Sequence, residues 1–112
     1  MCKVDVKKYQ DDDSTLIVSL AGRFNRDVVR DIRDKVFKVL RSNRTVKSLA
    51  VDLSEVEWID TAGVALLVLL CQHVRAKGGV FRVLYPSDRV KRVFKLAQLE
   101  EFLTVENGNR LF

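Results

Sequence analysis

Val51-Asp52-Leu53-Ser54-Glu55-Val56-Glu57-Trp58-Ile59-Asp60-Thr61-Ala62-Gly63-Val64-Ala65-Leu66-Leu67 carries the chain from a strand into a helix. Upstream, Leu49 to Leu53 is a short apolar run, expected as a buried strand that gives way to a polar turn at Ser54, Glu55 and Glu57. Downstream, Val64 to Cys71 is the most apolar segment of the chain. Asp60 or Thr61 is a natural N-cap between them, because a short side-chain oxygen accepts a bond from an otherwise unpaired N–H of the first turn. A hydroxyl is therefore expected at a strand-to-helix junction.

The helix runs from about Thr61 to Lys77, apolar nearly all round at first and polar at Gln72, His73, Arg75 and Lys77. It is expected to be buried at its start and exposed at its end. Gly78-Gly79 ends it, and Val80 to Tyr85 is a further apolar strand. Strand, helix, strand within about 38 residues is the βαβ pattern, which implies a parallel pair and a right-handed crossover. The strand from Ser48 is apolar on both faces and so belongs inside the sheet.

Toward the N-terminus, residues 2–9 alternate, with Cys2, Val4 and Val6 on one side and Lys3, Asp5 and Lys7 on the other. Asp11-Asp12-Asp13-Ser14 is a turn by composition, and Thr15 to Ala21 is a second strand. The two are expected to pair as an antiparallel hairpin with a loop of about four or five residues. Gly22 breaks the strand, and Asn25 caps an amphipathic helix to Ser42, with Val29, Ile32, Val36 and Leu40 as its buried stripe. Its outer face pairs Asp27 with Arg30, Asp31 with Lys35 and Asp34 with Lys38. Toward the C-terminus, Pro86-Ser87-Asp88 opens another helix, with Val90, Val93, Phe94 and Ala97 inward and Arg89, Lys91, Arg92 and Lys95 outward. Leu99, Phe102, Leu103 and Val105 form a short packed terminal element, and residues 106–112 form a tail that frays.

The fold class is α/β: a single domain over residues 1–112, with a core of about 4–105 and a mixed four- to five-stranded sheet carrying helices. No apolar run approaches the roughly 20 residues that cross a bilayer, so direct membrane insertion is not expected. No signal peptide is apparent. Cys2 and Cys71 do not make a disulfide framework, and a reduced, cytoplasmic protein is the simplest reading. The five glycines are scattered, with no phosphate loop and no dinucleotide fingerprint. The single His leaves no His-rich metal site and no Ser-His-Asp motif. No enzyme, catalytic residue, metal or cofactor is therefore expected. The formal charge of +5 is spread rather than blocked. Without aromatic platforms or a reader motif, the basic residues are expected to be a solvated face rather than a nucleic-acid site.

The segment Asp52-Leu53-Ser54 through Asp60-Thr61-Ala62-Gly63-Val64 resembles the signature of STAS domains, the fold of bacterial anti-sigma factor antagonists. In that signature a strand ending in Asp-Leu-Ser is followed by a hydrophobic spacer and by Asp-Ser/Thr-small-Gly-Leu at a helix start. Leu20-Ala21-Gly22-Arg23-Phe24-Asn25 sits where the family has the turn that opens the first helix. The likeness spans roughly residues 4–105. It implies a phospho-switch in which a kinase that is also an anti-sigma factor phosphorylates Thr61 and a phosphatase restores it. Asp60 would orient the hydroxyl, and Ala62 and Gly63 would let the partner approach. The implied contact set is Asn25, Asp60, Thr61, Ala62, Gly63 and Val64. The chain departs from the family where acids are common at the turn, which here reads Arg23 and Asn25, and where Thr61 replaces the commoner Ser. The segment from Asp60 to Leu67 also looks like the small STAS subunit of bacterial lipid-transport ABC transporters, which docks on the ATPase.

Overall fold

The computed structural model describes residues 3–8 and 15–106. Strands β1 (Lys3–Lys8), β2 (Thr15–Phe24), β3 (Ser48–Ile59), β4 (Phe81–Leu84) and β5 (Val105–Glu106) alternate with helices α1 (Arg26–Ser42), α2 (Thr61–Ala76) and α3 (Asp88–Leu96). The five strands lie side by side in sequence order. β1 is antiparallel to β2, and every later pairing is parallel. The fold is α/β with a mixed sheet, as the pattern of elements implied. The Asp11–Ser14 turn, Cys2 and the tail beyond Glu106 lie outside the described residues.

Paired residues on parallel strands share a face, so register shows how the core is built. Leu16, Leu49 and Phe81 form one row across the sheet, and Val18, Val51 and Val83 form the next. All six are within 1% of full burial. Ile32, Val36 and Leu40 of α1, Leu66, Leu67 and Leu70 of α2, and Val90 and Phe94 of α3 join this same cluster. The three helices thus cover one face of the sheet. The opposite face carries Ile17, Ala50 and Arg82 in one row and Ser19, Asp52 and Leu84 in the next, and it stays partly open. β3 is the central strand, which is why it reads as apolar on both faces.

Two strands run further than the sequence implies. β2 does not stop at Gly22 but continues to Phe24, and β3 does not turn at Ser54 but continues to Ile59. The two extensions pair with each other: Ala21 with Glu55, Gly22 with Val56, Arg23 with Trp58 and Phe24 with Ile59. Register shifts fall between Ser19 and Ala21 and between Gly22 and Arg23. Gly22 sits at φ 97°, a conformation nearly closed to other residues, so it bends the strand without ending it. The polar Ser54, Glu55 and Glu57 are exposed while Val56 and Ile59 are buried, so the supposed turn is a bent strand with one wet face.

The helices differ less. α1 is capped by Asn25, whose side chain accepts from the Asp27 N–H. Asp31 and Lys35 close to 3.1 Å on its outer face, whereas Asp34 lies 3.8 Å from Arg33 Nε. α3 is capped by the Ser87 side chain and buries Val90 and Phe94, but Ala97 falls beyond it and is exposed. Residues 101–104 form turns leading into β5. Arg75 of α2 ties that segment down, donating to the Phe102 carbonyl at 2.6 Å with its guanidinium 4.8 Å from the Phe102 ring centroid.

Candidate functional site

The paired ends of β2 and β3 bring two helix starts together. Phe24 and Ile59 are register partners, so the next residues, Asn25 and Asp60, begin α1 and α2 side by side. The Asp60 N–H donates to the Phe24 carbonyl at 3.2 Å, which locks the two turns. The Asp60 carboxylate then serves both helices. Oδ1 accepts from the Gly63 N–H at 2.9 Å, capping α2. Oδ2 accepts from the Arg26 N–H, also at 2.9 Å, at the first residue of α1. A carboxylate suits both places, because each helix start presents unpaired N–H groups and the positive end of its dipole.

This arrangement decides between the two candidate caps. Asp60 is the N-cap, and Thr61 is the first residue of α2, with an exposed side chain. Among the described residues the Thr61 hydroxyl makes no hydrogen bond, so the fold makes no use of it. Ala62 and Asp60 are partly exposed, as is Asn25.

Gly63 and Val64, expected at the contact surface, are instead buried. A Cβ at Gly63 would stand 2.7 Å from both the Phe24 carbonyl oxygen and Ile59 Cγ1. Glycine is needed here so that the first turn of α2 can sit on the paired strand ends. Val64 is 8% exposed and belongs to the core. These two residues support the site from beneath.

The outer face of α2 shows what the sequence obscured. The helix is not buried all round at its start. Thr61, Ala65, Leu69 and Gln72 lie on its solvent side at helical spacing, and Leu69 is 42% exposed. A small, partly apolar row therefore leads away from Thr61. Beside the same strand ends, Trp58 is 40% exposed. It shares a cleft of about 370 Å3 with Arg23, Glu57 and Arg89. No sequence pattern grouped Trp58, Arg23 and Arg89, since nothing short of the β2–β3 register and the placement of α3 brings them together.

Burial pushes the Cys71 thiol up, partly offset by Arg75, and its Sγ lies 3.7 Å from the Phe102 carbonyl. Burial also holds the His73 imidazole below its usual range, with a smaller contribution from Lys77. Among the described residues there is no group of three or more His, Cys, Asp or Glu placed to hold a metal, and no helix is long and apolar enough to cross a membrane.

A family profile described as "Mlab, STAS domain" matches residues 8–105. A candidate anti-sigma factor antagonist of Thermotoga neapolitana is 29% identical over 63 residues. Those residues are 56% of this chain, and they span only 56% of that relative. An anti-sigma factor antagonist from Mycobacterium paratuberculosis superposes with a TM-score of 0.82 at 18% identity, over 97% of this chain and 88% of that one. The unphosphorylated form of the anti-sigma factor antagonist SpoIIAA superposes at 0.77 with 20% identity, over 93% of this chain and 88% of that one. The phosphorylated form of the Bacillus SpoIIAA superposes at 0.70 with 19% identity, over 93% and 91%. At these identities the superpositions speak for the fold, whereas the profile reaches from the first strand pair to β5, across the Asp60–Thr61 junction. With the profile spanning nearly all of its described residues, this chain belongs to the STAS domain family.

Proposed function

We propose that this domain is a cytoplasmic protein-binding module of the anti-sigma factor antagonist type, switched by phosphate at Thr61. The observation that carries the reading is the Thr61 hydroxyl itself, exposed at the first position of α2 and left unused because Asp60 does the capping. A hydroxyl needed for a cap would be a poor acceptor of phosphate, since modification would undo the helix start. This one can be modified at little cost to the fold. Phosphate adds about −1.5 to −2 charges and meets the positive end of the helix dipole. The neighbouring Asp60 carboxylate opposes it, so the larger effect falls on whatever docks against Thr61, Ala62, Asp60 and Asn25.

In this reading the unmodified domain binds a serine kinase that doubles as an anti-sigma factor, and so releases the sigma factor. Phosphorylation breaks that contact by charge and desolvation, and a phosphatase restores it. The similarity to SpoIIAA, solved in both forms, supports the reading. The domain contributes no chemistry of its own and uses neither metal nor cofactor.

A second reading is favoured by the row Ala65, Leu69 and Gln72 beside Thr61. Small and apolar exposed side chains on one helix face suit permanent docking on a folded partner, such as the ATPase of a lipid-transport ABC transporter. One experiment separates the two. Incubation with the candidate kinase and ATP, followed by mass spectrometry, is expected to place a phosphate on Thr61. Thr61→Glu is expected to weaken kinase binding at least tenfold, while Thr61→Ala leaves stability within about 0.5 kcal/mol of wild type. An unmodified Thr61 with stable co-purification of an ATPase would reverse the order of the two readings.

A further inference from the structure

The end of the sheet away from the Asp60–Thr61 junction carries charge that neither reading uses. β2, β3 and β4 run parallel, so Thr15, Ser48 and Phe81 at their starts lie at one end. The connections from α1 into β3 and from α2 into β4 both arrive there. α2 is 16 residues long, so its two ends stand about 24 Å apart, Thr61 at one and Lys77 just past the other. The two connections are locked to each other. The Leu49 N–H donates to the Val80 carbonyl at 3.0 Å, and the Val80 N–H donates to Ser48 Oγ at 3.0 Å. A Cβ at Gly79 would collide with the Lys47 carbonyl, so glycine lets the two backbones touch and form one continuous surface.

That surface is basic. No acid occurs between Asp34 and Asp52, nor between Asp60 and Asp88. Lys38, Arg41, Arg44, Lys47 and Lys77 are all exposed, and among the described residues none of these side chains is held in an ion pair or hydrogen bond. Arg41 and Lys77 have a structural use, since a cation offsets the dipole at a helix C-terminus. Arg44 and Lys47 lie between α1 and β3, outside any helix, and have no such use. Asp11, Asp12 and Asp13 precede β2, outside the described residues; even set against this end, these three acids leave the five cations in excess. Val80, in the same surface, is 48% exposed.

The surroundings narrow the partner. The cavity at this end, lined by Thr15, Ser48, Leu49, Ala50, Val80 and Arg82, holds about 160 Å3, below the roughly 300–1,000 Å3 of small-molecule sites. Residues 41–48 and 75–80 include no aromatic side chain on which a base would stack. Cations spread over two connections, with an exposed aliphatic side chain among them, suit a layer of mobile anions that rearranges to meet each one.

We propose that this end of the domain docks on an anionic phospholipid surface, with Arg41, Arg44, Lys47 and Lys77 against the headgroups and Val80 at the boundary with the acyl chains. Attachment is peripheral and needs no membrane span. It leaves the Asp60–Thr61 junction, at the far end of α2, facing the aqueous side and open to a protein partner. It stands whether or not Thr61 carries a phosphate.

The full chain would be sedimented at about 100 mM salt with vesicles of phosphatidylcholine alone and of phosphatidylcholine with about 30% phosphatidylglycerol. Saturable binding to the mixed vesicles is expected, at least tenfold tighter than to the neutral ones and lost at about 0.5 M salt. Arg44→Gln and Lys47→Gln are each expected to weaken it about fivefold, the contribution of one cation near an anionic surface. Val80→Ser should act in the same direction. Arg92→Gln and Lys95→Gln remove the same charge from the exposed face of α3 and are expected to stay within about twofold of wild type. All five side chains are exposed, so these variants keep the fold, which far-UV circular dichroism checks. The proposal is overturned if the mixed vesicles do not retain the protein, or if the α3 variants weaken binding as much as Arg44→Gln and Lys47→Gln. It is overturned equally if a DNA duplex or an Asp/Glu-rich peptide, run alongside, saturates where the vesicles do not.

Discussion

Asp60 is the residue on which the local structure turns. Its two carboxylate oxygens accept N–H groups from two different helices, at Gly63 and at Arg26, while its own N–H reaches the Phe24 carbonyl. Loss of one N-cap costs roughly 1 kcal/mol, and a charged acceptor is worth more than a neutral one. Asp60→Ala is therefore expected to cost about 2 kcal/mol in urea unfolding, although both caps lie near solvent. Asp60→Asn should fall between it and wild type, because one oxygen becomes an amide that cannot accept. Thr61→Ala should leave the same measurement nearly unchanged. That contrast between neighbours separates the residue that builds the junction from the residue the junction presents. The hydroxyl at the junction was legible in the sequence, but not which of two adjacent residues was the cap. Both Asp and Thr cap well, and only the position of the Arg26 N–H and the strand ends decides.

At the scale of elements, α2 holds the sheet and the site together. Its inner face carries Leu66, Leu67, Leu70 and Val74 into the core, and Arg75 pins the segment that leads to β5. His73 lies between α2 and α1, edge-on to Phe37 with ring centroids 4.8 Å apart. Burial first, and Lys77 second, hold its imidazole below the ordinary value of about 6.5. The sign follows from proton counting. Between the lowered native value and about 6.5 the unfolded chain binds the proton and the native chain does not, so stability rises with pH there. The His73 contribution is complete above about pH 6.5 and is lost as pH falls through its native value. Denaturation midpoints at pH 5, 6 and 7 should therefore drop less steeply toward acid in His73→Phe, which keeps the ring contact with Phe37, than in wild type. Helix periodicity made α1 and α3 legible, including the Ile32, Val36 and Leu40 stripe, and the cap with its apolar run made α2 legible. Strand ends were not, because Gly22 and the Ser54–Glu57 stretch carry turn-like composition. They stay in the sheet only because each extension finds the other as its partner.

For the whole molecule, the decisive feature is a sheet covered on one face. The rows Leu16–Leu49–Phe81 and Val18–Val51–Val83 and the inner stripes of three helices make one apolar cluster. Among the described residues, no polar or charged side chain is fully buried. Phe94 of α3 is 0% exposed within that cluster. Phe94→Ala is expected to cost about 3–5 kcal/mol, a large share of the roughly 5–15 kcal/mol that stabilises a domain. Thermal and urea unfolding should show a single destabilised transition rather than local loss of α3, since Phe94 belongs to the one cluster that the sheet and helices share.

The sequence by itself determined the order of elements as far as α3, the parallel βαβ unit from β3 to β4, the interior place of β3 and the junction at Asp60–Thr61. Each of these rests on local pattern: apolar periodicity, capping chemistry and turn composition act over a few residues and are written there. Only the tertiary structure decided that Asp60 caps two helices, that Gly63 and Val64 lie beneath the site, that α2 keeps an open row from Thr61 to Gln72, and that Arg23, Trp58 and Arg89 share a cleft. These depend on the register between β2 and β3 and on where α3 comes to rest. Register is a property of two segments some 34 residues apart, as the Arg26–Asp60 bond is, and no local pattern records it.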